Sequence, residues 1–281
     1  MNNLLKESIA PDWGQYFEKY TLVFEEKSDD QHLILIDTES YGRVLILDGY
    51  VQVTEKDNFI YHEMLTHVPV LSHGNCKQVL IIGGGDGGMA KEVLKYPEIE
   101  VTMVEIDRAV IDFSKKYLPG ICGNAFESDR LDLKIADGAL FVQQTDQKFD
   151  VIIVDSTDPH GPGEVLFTRE FYANCKKILS EGGILVTQNG IPFTQEDELR
   201  KSVTYFRELF NTGTCYLADI PSYIGGPMAF GFATDAVGLN NLDKNLLEDR
   251  FDSTNIKTLY YNPAVHAASF ALPNYIKEII A

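Results

Sequence analysis

The apolar positions of this chain change rhythm partway along it. Up to about residue 65 they come in short runs at 21–26, 33–37, 43–47 and 51–54, rich in Val, Ile, Leu, Thr and Phe. Turn residues separate the runs at Ser28-Asp29-Asp30, Tyr41-Gly42 and Asp48-Gly49. Short β-prone runs punctuated in this way predict a small antiparallel sheet or set of hairpins. A helix is expected next over 58–70, because Tyr61, Leu65 and Val68 share one face at helical spacing.

After Gly74 the runs become unbroken. Apolar stretches at 78–82, 101–104, 131–135, 151–154 and 184–187 alternate with helical patterns at 89–95, 108–117, 139–144, 168–179 and 195–210. Continuous apolar strands separated by helices predict a parallel sheet covered on both faces. The runs 213–217 and 228–234 have no full helix between them, which predicts an antiparallel pair at the sheet edge. The expected fold is α/β, with a nucleotide-binding, Rossmann-like domain over 66–281 behind a small N-terminal antiparallel β domain over 1–65.

Composition narrows the function classes. With 44% hydrophobic and 23% charged residues among 281, the chain can bury a full core, so global disorder is excluded. Its 24 Lys+Arg against 42 Asp+Glu give a net charge of −18, which opposes wrapping a nucleic-acid backbone and suits a small cationic partner. Residues 1–17 contain no apolar core of a secretory leader, and no apolar run approaches the ~18 residues of a membrane span. Cys76, Cys122, Cys175 and Cys215 lie far apart and form no CxxC pair, so a reduced, cytoplasmic protein is expected. A metal site is not expected. His62-Glu63 followed by His67 resembles a zinc-protease motif, but the i, i+5 spacing turns the second imidazole away.

Candidate chemistry gathers at the predicted strand ends. The run Gly83-Gly84-Gly85-Asp86-Gly87-Gly88 follows a strand and opens a helix, so its backbone can turn tightly and face a ligand. Glu105 closes the next strand, where a carboxylate can accept both hydroxyls of a ribose or cap the following helix. Dinucleotide and S-adenosyl ligands both fit this much. Asp86 disfavours a pyrophosphate, which it would repel, and favours a cationic sulfonium or amine. Asp137-Gly138 follows the third strand, where it can meet an adenine edge as in S-adenosylmethionine-dependent folds. The strongest local signal is Asp155-Ser156-Thr157-Asp158-Pro159 at the carboxyl end of the strand 151–154, stiffened by Gly161-Pro162-Gly163. Ligands of open α/β sheets bind at that end. Turn formation alone would also favour such residues, but Asp86 on a neighbouring strand end gives three acids converging on one mouth.

At this point the chain resembles the spermidine synthases. The resemblance rests on Leu47-Asp48-Gly49, Gln52-Val53-Thr54-Glu55, Tyr61-His62-Glu63-Met64, the run 83–88, 104–107 and Asp155–Pro159 with Gly161-Pro162. It continues through Gln188-Asn189-Gly190, Ile220-Pro221-Ser222-Tyr223 and Tyr260-Tyr261-Asn262-Pro263, in order from about Trp13 to Pro273. Tyr-His-Glu-Met and Gly-Gly-Pro-Met-Ala-Phe are similar to the bacterial branch. The resemblance implies an S-adenosylmethionine-dependent methyltransferase-like Rossmann domain. It also implies transfer of an aminopropyl group from decarboxylated S-adenosylmethionine to putrescine, giving spermidine and 5′-methylthioadenosine. The nucleoside is then a co-substrate, and neither cofactor nor metal is required.

By the same resemblance, Asp155 accepts the proton while Tyr61 and Tyr223 align the attacking amine. Asp158 holds the distal ammonium, Trp13 and Gln188 line the diamine channel, and His62 and Asp86 border the amine side. Gln31, Glu105, Asp137, Gly138 and Pro162 hold the nucleoside. A homodimer or homotetramer built through the N-terminal sheet is expected. One departure stands out: the family's usual Asp-Glu before the Tyr-His-Glu-Met helix is Asp57-Asn58 here, which is expected to remove a carboxylate near the entrance. The alternatives are a methyltransferase of a small amine on the same fold, and a module that binds a polyamine or nucleoside without turnover.

Overall fold

The structure, a computed structural model, describes residues 4–27, 32–156 and 161–281, with backbone alone at 161 and 162. The N-terminal portion begins with a hairpin, β1 (Leu5–Ala10) and β2 (Trp13–Phe17), absent from the sequence-based expectation. An antiparallel sheet follows, in the order β3 (Thr21–Lys27), β4 (His32–Thr38), β5 (Gly42–Leu47) and β6 (Tyr50–Thr54). Side chains alternate across its pleat. Ile34, Ile36, Val44, Ile46 and Val51 pack with Phe17 of the hairpin, whereas Leu35, Leu45 and Val53 pack with Leu118 and Ile121 of the larger portion. Both faces are thus covered.

The helix α1 (Asn58–His73) is buried along nearly its whole length and continues three residues past the expected end, through Pro69. Gly74, left-handed at φ 81°, stops it and returns its N–H to the Val70 carbonyl. A division after residue 65 falls inside this helix.

The central sheet has seven strands in the order β12-β13-β11-β10-β7-β8-β9. Its parallel part comprises β7 (Gln78–Gly83), β8 (Glu100–Glu105), β9 (Leu131–Ile135), β10 (Phe149–Asp155) and β11 (Leu179–Gln188). The edge pair β12 (Thr212–Ala218) and β13 (Met228–Thr234) is antiparallel, as the pattern predicts. Between the strands run α2 (Gly88–Val93), α3 (Arg108–Tyr117), α4 (Pro119–Cys122), α5 (Gly138–Gln144), α6 (Arg169–Ile178) and α7 (Glu196–Leu209). Three further helices close the chain: α8 (Lys244–Thr254), α9 (Pro263–Ser269) and α10 (Asn274–Ile279).

Strand residues alternate between two cores. Val79, Ile81, Val151 and Ile153 join Met64, Leu65 and Val68 of α1 on one face. Leu80, Ile82, Ile152 and Val154 join Phe171 and Tyr172 of α6 and Val203 and Phe206 of α7 on the other. From β7 the chain runs outward through β8 and β9, then returns to β10 on β7's other side. This reversal opens a crevice at the carboxyl ends of β7 and β10, where ligands of such sheets bind. Among the described residues no helix is long and apolar enough to cross a membrane.

Candidate active site

Two backbones touch at the foot of the crevice. Asp155 ends β10 opposite Gly83, which ends β7. The Gly84 N–H donates to the Asp155 carbonyl at 2.9 Å. A Cβ on Gly83 would stand 2.1 Å from that carbonyl oxygen, and its φ of 84° is one that side chains resist, so glycine is required twice over. This approach brings Asp155 alongside the glycine loop that carries Asp86.

Four side chains converge. The Tyr61 hydroxyl donates to Asp155 Oδ1 at 2.6 Å. Asp86 Oδ1 accepts the Gly88 N–H at 2.8 Å, and its Oδ2 lies 3.3 Å from His62 Nε2. One polar atom each of His62, Asp86 and Asp155 lies within 4.8 Å of the others, a set that could hold a cation. Tyr61 and His62 are successive residues of α1, so the buried helix delivers both from one turn.

Burial and mutual charge set the protonation of this cluster. Burial, reinforced by Asp86, pushes Asp155 up to about 6 against the opposing pull of His62 and the Tyr61 hydrogen bond. Burial also acts against the charged form of Asp86, but the His62 charge and hydrogen bond, with the Gly88 N–H, outweigh it and hold the acid below its ordinary value. Burial works against the His62 cation too, yet Asp86, aided by Asp155 and Glu92, holds the imidazole above its usual value. Burial and then the Asp155 charge keep the Tyr61 phenol far above its usual value. These shifts favour the ionic form of the Asp86–His62 pair and bring Asp155 toward the range where it can exchange a proton.

Glu105 and Asp137 lie on the β8–β9 side. Glu105 is buried at the end of β8, beneath Gly85, and accepts the Asp107 N–H at 3.0 Å. Burial raises its carboxyl despite that bond. Asp107, not Glu105, caps α3, accepting from the Ala109 N–H. Asp137 does cap α5, accepting from Ala139 and Leu140 N–H at 2.8 and 3.1 Å through one oxygen. Gly138 packs so closely on Ile82 that a Cβ would lie 2.5 Å from that side chain.

The opposite wall comes from β11 and the segment between β12 and β13. Gln188, buried at the end of β11, accepts the Gly190 N–H at 3.0 Å. The Tyr223 ring stands edge-on to Tyr61 at 6.3 Å, and its hydroxyl donates to the Gln52 carbonyl at 2.5 Å. Trp13, 42% exposed on β2, lies against Gly225. Gln31 and Asp158 lie outside the described residues, as does the Pro162 side chain, whose backbone belongs to the short turn Gly161–Phe167.

Asn58 is not at the entrance, which corrects the expectation drawn from its position before the helix. It is buried behind His62. Its Nδ2 donates to the Thr54 and Glu55 carbonyls at 2.9 Å, and its Oδ1 lies 3.4 Å from His62 Nδ1. The i, i+4 spacing from 58 to 62 carries that relation in the sequence. His67 faces away from the crevice, toward Tyr96 Oη at 2.9 Å and Glu92 at 3.2 Å. Asp57, Gln15 and Ser222 knit the β6–α1 turn to the wall; Asp57 and Ser222 stand in the motifs that carry the family resemblance, but Gln15 carries no local sequence signal.

Comparison with known proteins agrees with this geometry. Residues 58–244 match the spermine/spermidine synthase domain, and residues 6–55 match the spermidine synthase tetramerisation domain. A polyamine aminopropyltransferase of Ruegeria sp. (strain TM1040) is 53% identical over 97% of this chain and 96% of that protein. One from Klebsiella pneumoniae (strain 342) is 49% identical over 100% of this chain and 98% of its own length. Among solved structures, a spermidine synthase in complex with the transition-state analogue AdoDATO superposes with a TM-score of 0.92 at 35% identity, covering 99% of this chain and 94% of its own. The spermidine synthase from Thermotoga maritima gives 0.89 at 34% with the same coverage. Sequence, fold and the acidic crevice agree: the chain belongs to the spermine/spermidine synthase family.

Proposed function

We propose that this chain is a spermidine synthase, moving the 3-aminopropyl group of decarboxylated S-adenosylmethionine onto putrescine. The observation that carries the reading is the cluster at the β7–β10 crevice, where Tyr61, Asp155, Asp86 and His62 surround one spot. The amine lone pair attacks the carbon beside sulfur, the C–N bond forms, and the C–S bond breaks with its electrons passing to sulfur. The leaving group is neutral methylthioadenosine. Because the sulfonium is its own leaving group, the reaction calls for neither metal nor cofactor.

The amine must first lose a proton. An alkylammonium with a pKa near 10.4 requires about 4–5 kcal/mol for this at pH 7. The adjacent sulfonium lowers that cost, and Asp155 is the proton acceptor, with Tyr61 and Tyr223 aligning the nucleophile. Asp158 holds the distal ammonium while Trp13 and Gln188 flank the methylene chain. Glu105, Asp137, Gly138, Gln31 and Pro162 hold the nucleoside. The deciding measurement is the nucleoside product. Methylthioadenosine formed with putrescine supports the reading; S-adenosylhomocysteine formed from S-adenosylmethionine would replace it with methyl transfer.

Asp86 also explains why the decarboxylated nucleoside is preferred. Ordinary S-adenosylmethionine would bring a carboxylate toward Asp86 and Asp155, and buried like charges repel strongly. Asp86→Asn is expected to narrow the preference for the decarboxylated nucleoside roughly tenfold in competition binding. Unchanged relative affinities would reject this account. The tetramerisation-domain match over 6–55 supports assembly into a homodimer or homotetramer, and exposed Tyr16, Leu22 and Tyr50 give that portion apolar surface to bury. Four buried, unpaired cysteines suit a cytoplasmic setting.

A further inference from the structure

The N-terminal hairpin buries a carboxylate that takes no part in the crevice. Glu7 of β1 is 7% exposed, and its Oε1 accepts the Val51 N–H at 2.9 Å. Its Oε2 accepts from Nε2 of Gln15, the residue opposite it on β2. The second hydrogen of that amide goes to the Ser222 carbonyl at 2.9 Å. Asp57 grips Ser222 from the other side, accepting the backbone N–H at 2.7 Å and the hydroxyl at 3.1 Å. Thr54 in turn donates to Asp57 at 2.6 Å. Ser222 is held at its amide, hydroxyl and carbonyl, and all three bonds lead into the N-terminal portion or its junction with α1.

The next residue is Tyr223. Beyond it Gly225 and Gly226 sit at φ 123° and 126°, where the backbone has no side chain to constrain it. Local chain stiffness therefore does little to place Tyr223 from the downstream side. The Trp13 ring, from the same hairpin, rests against Gly225.

We propose that Gln15 is a positioning residue for the amine pocket: its amide ties the N-terminal hairpin to Ser222 and so sets Tyr223 and the wall beside it. The inference rests on the aminopropyltransferase reading and adds a determinant of diamine recognition that lies outside the crevice. The two partners call for a nitrogen with two N–H donors, which the amide supplies. Two acceptors, a carboxylate and a carbonyl, face one nitrogen, and a carboxylate there could satisfy neither. Glu105 and Asp137 lie on the far side of β7 from the segment 219–227, which links β12 and β13.

Gln15→Glu keeps the shape and removes both donors. It is expected to raise the KM for putrescine about tenfold, with the KM for decarboxylated S-adenosylmethionine changed less than about twofold. The exchange Glu7→Gln with Gln15→Glu separates positioning from simple hairpin stability. The amide at position 7 can then serve both the carboxylate at 15 and the Val51 N–H, but a carboxylate still faces the Ser222 carbonyl. The exchange is expected to recover the thermal midpoint without recovering the diamine KM. Recovery of both, or an unchanged diamine KM in both variants, would overturn the inference; if Gln15→Glu alone fails to fold, the exchange decides. A wild type lacking aminopropyl turnover sinks the reading and this inference together, whereas an active wild type with unaffected variants sinks the inference alone.

Discussion

Asp155→Asn is expected to cut turnover at least ~10²-fold while leaving the protein folded and more resistant to heat. The loss follows from removing the one acid of the cluster that is poised to exchange a proton. The gain follows from linkage. An ordinary carboxyl near 3.8 is pushed up to about 6 in the fold, so between those values the folded state binds more proton than the unfolded one. Stability therefore falls as pH rises through that window, and the deficit, about 2–3 kcal/mol at most, persists at neutral pH. An amide carries no charge to confine and avoids it. The same ionisation predicts that wild-type kcat/KM falls as pH drops below about 6, since that ratio reports the free enzyme. Near-normal turnover in Asp155→Asn with intact diamine binding would remove Asp155 from its assigned role.

Glu63→Leu is expected to destabilise the chain by about 3–5 kcal/mol, enough to unfold many domains. Glu63 is 1% exposed on α1, and its two oxygens accept the N–H groups of Leu259, Tyr260 and Tyr261 at 2.7, 2.8 and 2.8 Å. The substitution leaves those donors without their acceptor. Their segment is otherwise fastened by Tyr261 to His266 at 2.7 Å and by His266 to Ser72 at 3.2 Å. Burial drives His266 down to about 3, so it stays neutral and bonds both hydroxyls. Denaturant unfolding of Glu63→Leu beside Glu63→Gln measures the effect. A loss under about 1 kcal/mol in the Leu variant would show that the C-terminal segment docks without need of the Glu63 carboxylate.

The parts of this molecule that were legible in its sequence are those where cause and residue are neighbours. A parallel strand buried on both faces must be apolar throughout, and the run Gly83–Gly88 must be glycine-rich to pass Asp155, so sheet and crevice announce themselves. Acids at successive strand ends fall together once the sheet is drawn. The hairpin β1–β2 gave no such sign, because its inward position at Glu7 is charged and satisfied by Gln15 and Val51 far along the chain. The segment after β13 escaped for a related reason: α9 and α10 are short, and the stretch 259–261 before them is anchored by Glu63 from far along the chain. Trp13 and Tyr61 taken singly read as core aromatics, and only the family resemblance placed them, with His62, at the site. Asn58 was placed at the mouth by its sequence neighbours, whereas helix geometry sets it behind His62.

The contact between Gly84 and the Asp155 carbonyl has a further consequence. It forbids the two acids of the crevice from drifting apart when nothing lies between them. Asp86 and Asp155 are therefore held near one another by backbone as well as by their bonds to His62 and Tyr61. A polycation entering the crevice finds the field already assembled and relieves the repulsion it meets. The cost of bringing these like charges together therefore falls on folding rather than on binding.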